Sequence, residues 1–178
     1  MTTASGVRMI YVSSLGGLAA VADSLPSFDL LTLLSPAASE RDWSGLARER
    51  HVELTFHDIV EATSDLIAPD ADVVDAILQF GRGSIADRPM LIHCWAGISR
   101  SSAAAYAIAC DRNPGYEAAI ADELRKRSPY VTPNKLMVQL ADEQLGRDGR
   151  MVEAIARIGR GADAFEGEAY RLPLNWPI

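Results

Sequence analysis

The fold of this 178-residue chain is decided by the stretch His93-Cys94-Trp95-Ala96-Gly97-Ile98-Ser99-Arg100-Ser101. An apolar run, residues 89–92, precedes it and predicts a buried strand, and an alanine-rich run, residues 102–109, follows it and predicts a helix. A strand, a tight loop and a helix in this order aim several backbone N–H groups at one point beside the helix N-terminus, where the helix dipole favours negative charge. The stretch therefore predicts a loop that binds an anion such as phosphate.

Two reactive side chains stand at the ends of this loop. Cys94 opens it, and Arg100 follows after five intervening residues. The loop N–H groups and the guanidinium favour the thiolate form of Cys94. The planar fork of Arg100 can hold two phosphate oxygens at once. The spacing therefore predicts a cysteine nucleophile held beneath a bound phosphorus atom.

These residues resemble the signature of the cysteine-dependent protein tyrosine and dual-specificity phosphatases, which is His-Cys, five residues, Arg, then Ser or Thr. Gly97 also stands where that family keeps a glycine. The resemblance implies a metal-independent phosphomonoester hydrolase that works through a cysteinyl-phosphate intermediate and needs no cofactor. Cys94 would be the nucleophile and Arg100 the phosphate clamp.

The resemblance also assigns roles to the other residues of the stretch. Ser101 would donate its hydroxyl to the cysteine sulfur and help it to leave in the second step, and the hydroxyl could instead cap the following helix. His93 would support the loop and tune the thiol and would not act as a base. The phosphate would be cradled by the loop residues Trp95, Ala96, Gly97, Ile98, Ser99 and Arg100.

A proton donor for the leaving oxygen is expected on a separate loop. The resembled family keeps an aspartate well upstream of the cysteine, just after a strand. Asp58 directly follows the predicted strand 51–56 and is the favoured acid, and Asp65, further along the same loop, is the alternative. The tryptophan-proline-aspartate form of this loop, found in the larger tyrosine phosphatases, is absent from the sequence.

The pattern of elements predicts an α/β protein with a central, mostly parallel sheet flanked by helices and a helical C-terminal half. Strands are predicted over 7–12, 28–34, 51–56 and 90–92, and a charged helical connection over 40–50. The resemblance implies the compact dual-specificity-phosphatase-like fold, with its core over about 7–145. The whole chain, 1–178, is interpreted as one phosphatase domain whose residues 146–178 add a helix and an irregular tail.

Composition narrows the function classes. The formal net charge of −7 and the lack of a basic block argue against nucleic-acid binding. Two cysteines are too few for a disulfide framework, and the three histidines form no metal-ligand spacing. No signal peptide is read in residues 1–6 and no membrane span is read in the chain, so the cytoplasm is the expected location.

Three alternatives stay open at this stage. A rhodanese-type sulfurtransferase also uses a cysteine loop before a helix, and Ser101 and the upstream acid favour phosphate chemistry over it. A non-catalytic phosphate-binding module would usually lack the cysteine or the arginine. The substrate could be a phosphorylated protein, an inositol phosphate or another small metabolite, and the lack of lysine in the loop weakens the inositol phosphate reading. The oligomeric state is left open.

Overall fold

The central feature of the computed structural model, which describes residues 7–46 and 48–178, is a five-stranded mixed sheet. Its strand order is β3-β2-β4-β1-β5. The strands are β1 (Met9–Ser13), β2 (Asp29–Leu34), β3 (Arg50–Thr55), β4 (Met90–His93) and β5 (Tyr170–Pro173). The first four strands in the sheet are parallel, and β5 runs antiparallel beside β1.

Seven helices are described. They are α1 (Leu18–Asp23), α2 (Pro36–Ser39), α3 (Ala71–Arg82), α4 (Arg100–Arg112), α5 (Glu117–Arg127), α6 (Lys135–Leu145) and α7 (Arg150–Ile158). Their ends follow local chemistry. The Asp70 carboxylate caps α3 by accepting the Val73 N–H at 2.9 Å, and α6 ends at Gly146, whose φ of 62° is the left-handed conformation that glycine adopts freely.

The central strands of the sheet are buried on both faces. Ile10, Val12 and Ile92 point into a large core formed with α3 to α7, whereas Leu30 and Leu91 point into a smaller core formed with α1 and Trp43. Successive side chains of a strand point to opposite faces, so this alternation places helices on both sides. Every residue of β2 is buried, which explains the four leucines among its six residues.

Two expectations for secondary structure were wrong. The described residues of this range, 40–46 and 48–50, form no helix: α2 stops at Ser39, and the Asp42 carboxylate accepts the Ser44 N–H at 2.9 Å, a local bond that favours a turn. The tail 159–178 is not wholly irregular, because β5 pairs with β1 in it. Its four residues are too few for a clear alternation pattern, and pairing with a distant strand stabilises them.

The predicted fold class is otherwise confirmed. The four parallel strands lie at nearly the predicted positions, and their carboxyl ends share one edge of the sheet, where ligands of such folds bind. Across residues 7–46 and 48–178, no helix is both long and apolar enough to cross a membrane. The interpretation that residues 1–6 contain no signal peptide lies outside the described residues.

Candidate active site

Cys94 lies at the carboxyl end of β4, at the floor of a loop that leads into α4. Its sulfur accepts the Gly97 N–H at 3.3 Å, and the Ser101 hydroxyl oxygen lies 3.1 Å from it. Both groups can donate to a negatively charged sulfur. The thiol is thus held in place by the loop that it opens, and the structure brings together these three predicted residues.

Gly97 allows the loop to lie close against the end of β1. Its φ is +71°, and a Cβ added there would lie 2.7 Å from the Ser14 backbone nitrogen. The loop is also tied to β1 by the Leu15 N–H, which donates to the Trp95 carbonyl at 3.0 Å. A side chain at position 97 would therefore strain the backbone and displace the loop from the strand.

The Arg100 side chain is buried beside the loop, and only one edge of its guanidinium is hydrogen-bonded within the described ranges. Its Nη1 donates to the Phe56 carbonyl at 2.7 Å and to the Ser35 hydroxyl at 3.1 Å. Its Nε is buried and has no hydrogen-bond partner within the described ranges. An unpaired buried donor is costly unless a ligand satisfies it. The Nε edge is therefore suited to a phosphate oxygen.

His93 is the inner end of a buried chain of hydrogen bonds. Its Nδ1 lies 3.3 Å from the Cys94 carbonyl, which only accepts, so Nδ1 carries the hydrogen. Its Nε2 lies 2.8 Å from the Thr32 hydroxyl, which also lies 2.8 Å from Nε2 of His51. Arg48 Nε donates to the other nitrogen of His51 at 3.2 Å. With both imidazoles neutral, each N–H or O–H group in this series of hydrogen bonds donates to one acceptor.

Burial keeps both imidazoles neutral. It lowers the pKa of His93 from 6.5 to about 4 and lowers the pKa of His51 as well. A neutral His93 that already donates Nδ1–H to the Cys94 carbonyl and accepts a hydrogen bond from the Thr32 hydroxyl has no free position for a substrate. This geometry fits the expected supporting role.

The buried His93 should make the protein less stable in mild acid. Its folded pKa of about 4 lies below the unfolded value of 6.5, so only the unfolded chain binds a proton between them. The stabilisation is present above pH 6.5 and is lost as the pH falls through 4. We expect a loss of about 2 kcal/mol between pH 7 and pH 5 from this group.

Urea unfolding at the two pH values measures this change, and an NMR titration of the His93 imidazole measures its cause. The His93→Asn variant, if it folds, should show a smaller loss between the two pH values than the wild type. A His93 resonance that titrates near pH 6.5 would contradict the prediction.

Asp58 lines the cavity beside the loop, whereas Asp65 does not line it. One Asp58 carboxylate oxygen, Oδ1, accepts the Ser99 hydroxyl at 2.7 Å and the Asn134 side-chain amide at 2.9 Å. Asn134 also donates to the Ile59 carbonyl at 3.1 Å, so it fixes the loop that carries the acid. Asp65 is exposed and outside the cavity wall.

A cavity of about 450 Å³ joins these elements. Cys94 and Arg100 lie in it together with Asp58, and small or apolar residues complete the wall. The lining residues are Ser35, Ala37, Ala38, Asp58, Cys94, Trp95, Ala96, Ile98, Ser99, Arg100, Ala164 and Phe165. Ala164 and Phe165 come from the C-terminal tail, which the sequence did not connect with the site.

Two other predictions concern Cys110, which is expected to take no part in the reaction, and the expected lack of a metal site. Cys110 is buried on α4, and burial raises the pKa of its thiol, as expected of an inert core cysteine. Among residues 7–46 and 48–178, no three His, Cys, Asp or Glu side chains are grouped so that they could hold a metal ion.

Several residues of the site were missed by reasoning from the sequence. Asn134 had a signal, because an Asn after a Pro is typical of a helix start, and its Oδ1 does accept the Met137 N–H of α6. The sequence gives no signal for Thr32 or Phe165, since an isolated threonine in an apolar strand and an aromatic residue in a tail are both common. Their relevance comes from contacts between distant segments.

Solved structures of three phosphatase-related proteins share this fold. The human tyrosine phosphatase-like serine/threonine/tyrosine-interacting protein has a TM-score of 0.57 at 19% identity, covering 76% of this chain and 87% of its own. The Yvh1 phosphatase domain from Chaetomium thermophilum has a TM-score of 0.57 at 17% identity, and the match covers 82% of this chain and 98% of that domain. DUSP15 has a TM-score of 0.53 at 14% identity, and the match covers 89% of this chain and 93% of its own.

No family model and no curated protein sequence matches this chain. Likeness at these identities shows the fold, and the chain has the α/β fold of the dual-specificity-type phosphatases. The expectation for the fold that came from the nine-residue stretch is thereby confirmed. The roles of individual residues rest on the geometry of the site.

Proposed function

We propose that this protein is a metal-independent phosphomonoester hydrolase that forms a cysteinyl-phosphate intermediate, acting on a phosphorylated protein or a small phosphomonoester. One observation carries the proposal: Cys94 and Arg100, whose Nε has no hydrogen-bond partner among residues 7–46 and 48–178, line one cavity at the N-terminus of α4. A phosphate that satisfies Arg100 is placed above a sulfur that is already held by hydrogen-bond donors.

In the first step the Cys94 thiolate attacks phosphorus. A sulfur–phosphorus bond forms as the bond from phosphorus to the leaving oxygen breaks, and Arg100 holds the charge on the equatorial oxygens. Asp58 gives a proton to the leaving oxygen. Its Oδ1 already accepts two hydrogen bonds, so the proton is carried on Oδ2.

In the second step a water molecule attacks the phosphorus of the intermediate. The Asp58 carboxylate takes the proton of that water, and the sulfur–phosphorus bond breaks to return the thiolate. The Ser101 hydroxyl, 3.1 Å from the sulfur, donates to the thiolate as it leaves. The loop N–H groups then hold inorganic phosphate until it is released.

A second candidate function is non-catalytic binding of a phosphorylated partner. It is favoured by the likeness of the fold to a human protein described as phosphatase-like and as an interacting protein. Against it, this chain has the thiol, the arginine and a carboxylate in one cavity, which binding alone does not require. Turnover separates the two functions.

The experiment is a screen of purified protein for phosphate release. Peptides that contain phosphotyrosine, phosphoserine or phosphothreonine are compared with inositol phosphates, all in the presence of a chelator. Release of phosphate from any class supports the proposal, and thiocyanate formation from thiosulfate and cyanide would instead indicate a sulfurtransferase. Binding of a phosphopeptide without turnover would support the second candidate.

Peroxide should inactivate the enzyme reversibly, whereas a chelator should leave its rate unchanged. The reason is that a thiolate nucleophile is oxidised to a sulfenic acid, which a thiol reductant restores. Rates are measured after treatment with peroxide, after peroxide followed by reductant, and in chelator. Loss of activity in chelator that a divalent ion restores would contradict the proposal.

A further inference from the structure

The C-terminal tail presents an aromatic side chain at the mouth of the candidate active site. Phe165 is 89% exposed, yet it lines the same cavity as Cys94 and Arg100. A scattered exposed apolar residue is ordinary on a protein surface. Phe165 differs because it adjoins a second exposed aromatic residue, Trp95, which is 49% exposed. Apolar and aromatic walls above a few polar groups are typical of small-molecule sites.

The backbone on either side of Phe165 is anchored. Before it, the Ala162 N–H donates to the Pro129 carbonyl at 2.9 Å. After it, the Gly167 N–H donates to the Ala96 carbonyl of the Cys94 loop at 2.8 Å, and Glu166 accepts the Ser14 hydroxyl. The backbone that carries Phe165 is therefore held at a defined place, although folding buries little of the ring.

Close packing holds the same segment against the loop. A Cβ added at Gly167 would lie 3.3 Å from the Gly97 carbonyl oxygen, and one added at Gly161 would lie 2.5 Å from the Tyr130 carbonyl. The tail thus packs closely against the Cys94 loop at Gly167 and against the segment between α5 and α6 at Gly161. Phe165 is carried by this packed segment, so its position depends on the position of the loop.

Trp95 forms the neighbouring part of the mouth. Trp95 and Phe165 line both the cavity of about 450 Å³ and a second cavity of about 220 Å³, so the two rings stand between these spaces. The guanidinium carbon of Arg41 lies 5.9 Å from the Trp95 ring centroid, which helps to orient this ring. On the α2 side, Ala37 and Ala38 leave room for a flat group.

We propose that Trp95 and Phe165 form an aromatic lip that contacts the group attached to the phosphate and makes the site prefer aryl over alkyl phosphomonoesters. This inference rests on the proposed function. A phosphate bound at Arg100 directs its ester oxygen toward the mouth, because the loop and the helix occupy the floor. A planar ring on that oxygen can pack against the lip, whereas a short alkyl chain buries less apolar surface there.

The test measures binding of phenylphosphonate and methylphosphonate by calorimetry, because neither compound can be hydrolysed at its carbon–phosphorus bond. Wild type should bind phenylphosphonate about 3- to 10-fold more tightly, the range expected of an aromatic contact. Phe165→Ala should lose most of this ratio, and Phe165→Tyr should keep it. Ile85→Ala is the matched control, because Ile85 is an exposed apolar residue that precedes β4, at the opposite edge of the sheet.

The outcomes separate the lip from the proposed function. Equal affinities of wild type for the two phosphonates, a ratio that Phe165→Ala leaves unchanged, or no binding of either compound would overturn the lip. If phosphomonoesters are hydrolysed while the ratio is unaffected, the lip is wrong and the proposed function stands. If the ratio depends on Phe165 and no phosphomonoester is hydrolysed, the lip stands and the proposed function is wrong.

Discussion

Cys94→Ser is expected to abolish turnover while leaving phosphate binding largely intact. A serine hydroxyl at this position is a much weaker nucleophile than a thiolate, and no adjacent base activates it, since His93 is already engaged by Thr32 and the Cys94 carbonyl. The loss should be on the order of 10⁴-fold or more, as for nucleophile deletions in other covalent enzymes. Arg100 and the loop N–H groups, which are the proposed phosphate-binding groups, are unchanged in this variant.

Single-turnover rates and phosphate affinity by calorimetry measure the two parts of this prediction. Cys110→Ser is the matched control, because it makes the same change at a buried cysteine on α4 that lies outside the cavity. It should retain turnover. Substantial turnover in Cys94→Ser would exclude the covalent route, and loss of phosphate binding would show that the sulfur, and not Arg100 with the loop, holds the anion.

The fold could be predicted from the sequence because its decisive signal is local. The apolar run before Cys94, the glycine at position 97 and the alanine-rich run after it together specify a strand, a loop and a helix within twenty residues or so. The order of elements then leaves few topologies, since parallel strands need crossover connections. The predicted proximity of Cys94, Arg100 and Ser101 follows from the same local geometry.

The remainder of the site depends on contacts between segments distant in the sequence. Thr32 on β2 contacts both His51 on β3 and His93 on β4, and it can do so only because β2 lies between these two strands. A single sequence does not state strand order. Phe165 likewise reaches the mouth because β5 pairs with β1, and a four-residue edge strand carries too little alternation to be recognised.

The choice of acid was open for a related reason. Asp58 and Asp65 share one loop, and spacing from the strand favours the first without excluding the second. The structure separates them by their contacts: Asp58 accepts hydrogen bonds from Ser99 and Asn134 and lines the cavity, whereas Asp65 is exposed away from it. The role of Asp58 stays a prediction that kinetics must test.

Asp58→Asn should slow the hydrolysis of phosphomonoesters with poor leaving groups by about 10²- to 10⁴-fold, the usual contribution of a positioned proton donor. The substitution is well matched to the site, because an asparagine Oδ1 can still accept the hydrogen bonds from Ser99 and Asn134. Only the acidic oxygen, Oδ2, is replaced by a group that cannot give up a proton to the substrate. The loop should therefore keep its position while the chemistry is lost.

Leaving-group dependence distinguishes this role from a structural one. In a series of aryl and alkyl phosphates, the variant should lose little on substrates whose leaving group is already a stable anion and most on phenyl and alkyl esters. Its rates should therefore depend more steeply on the leaving group than those of the wild type. Asp65→Asn is the control and should resemble wild type. Equal losses on good and poor leaving groups would contradict the assignment, because a displaced loop slows every substrate alike whereas a missing proton matters only where the leaving oxygen needs one.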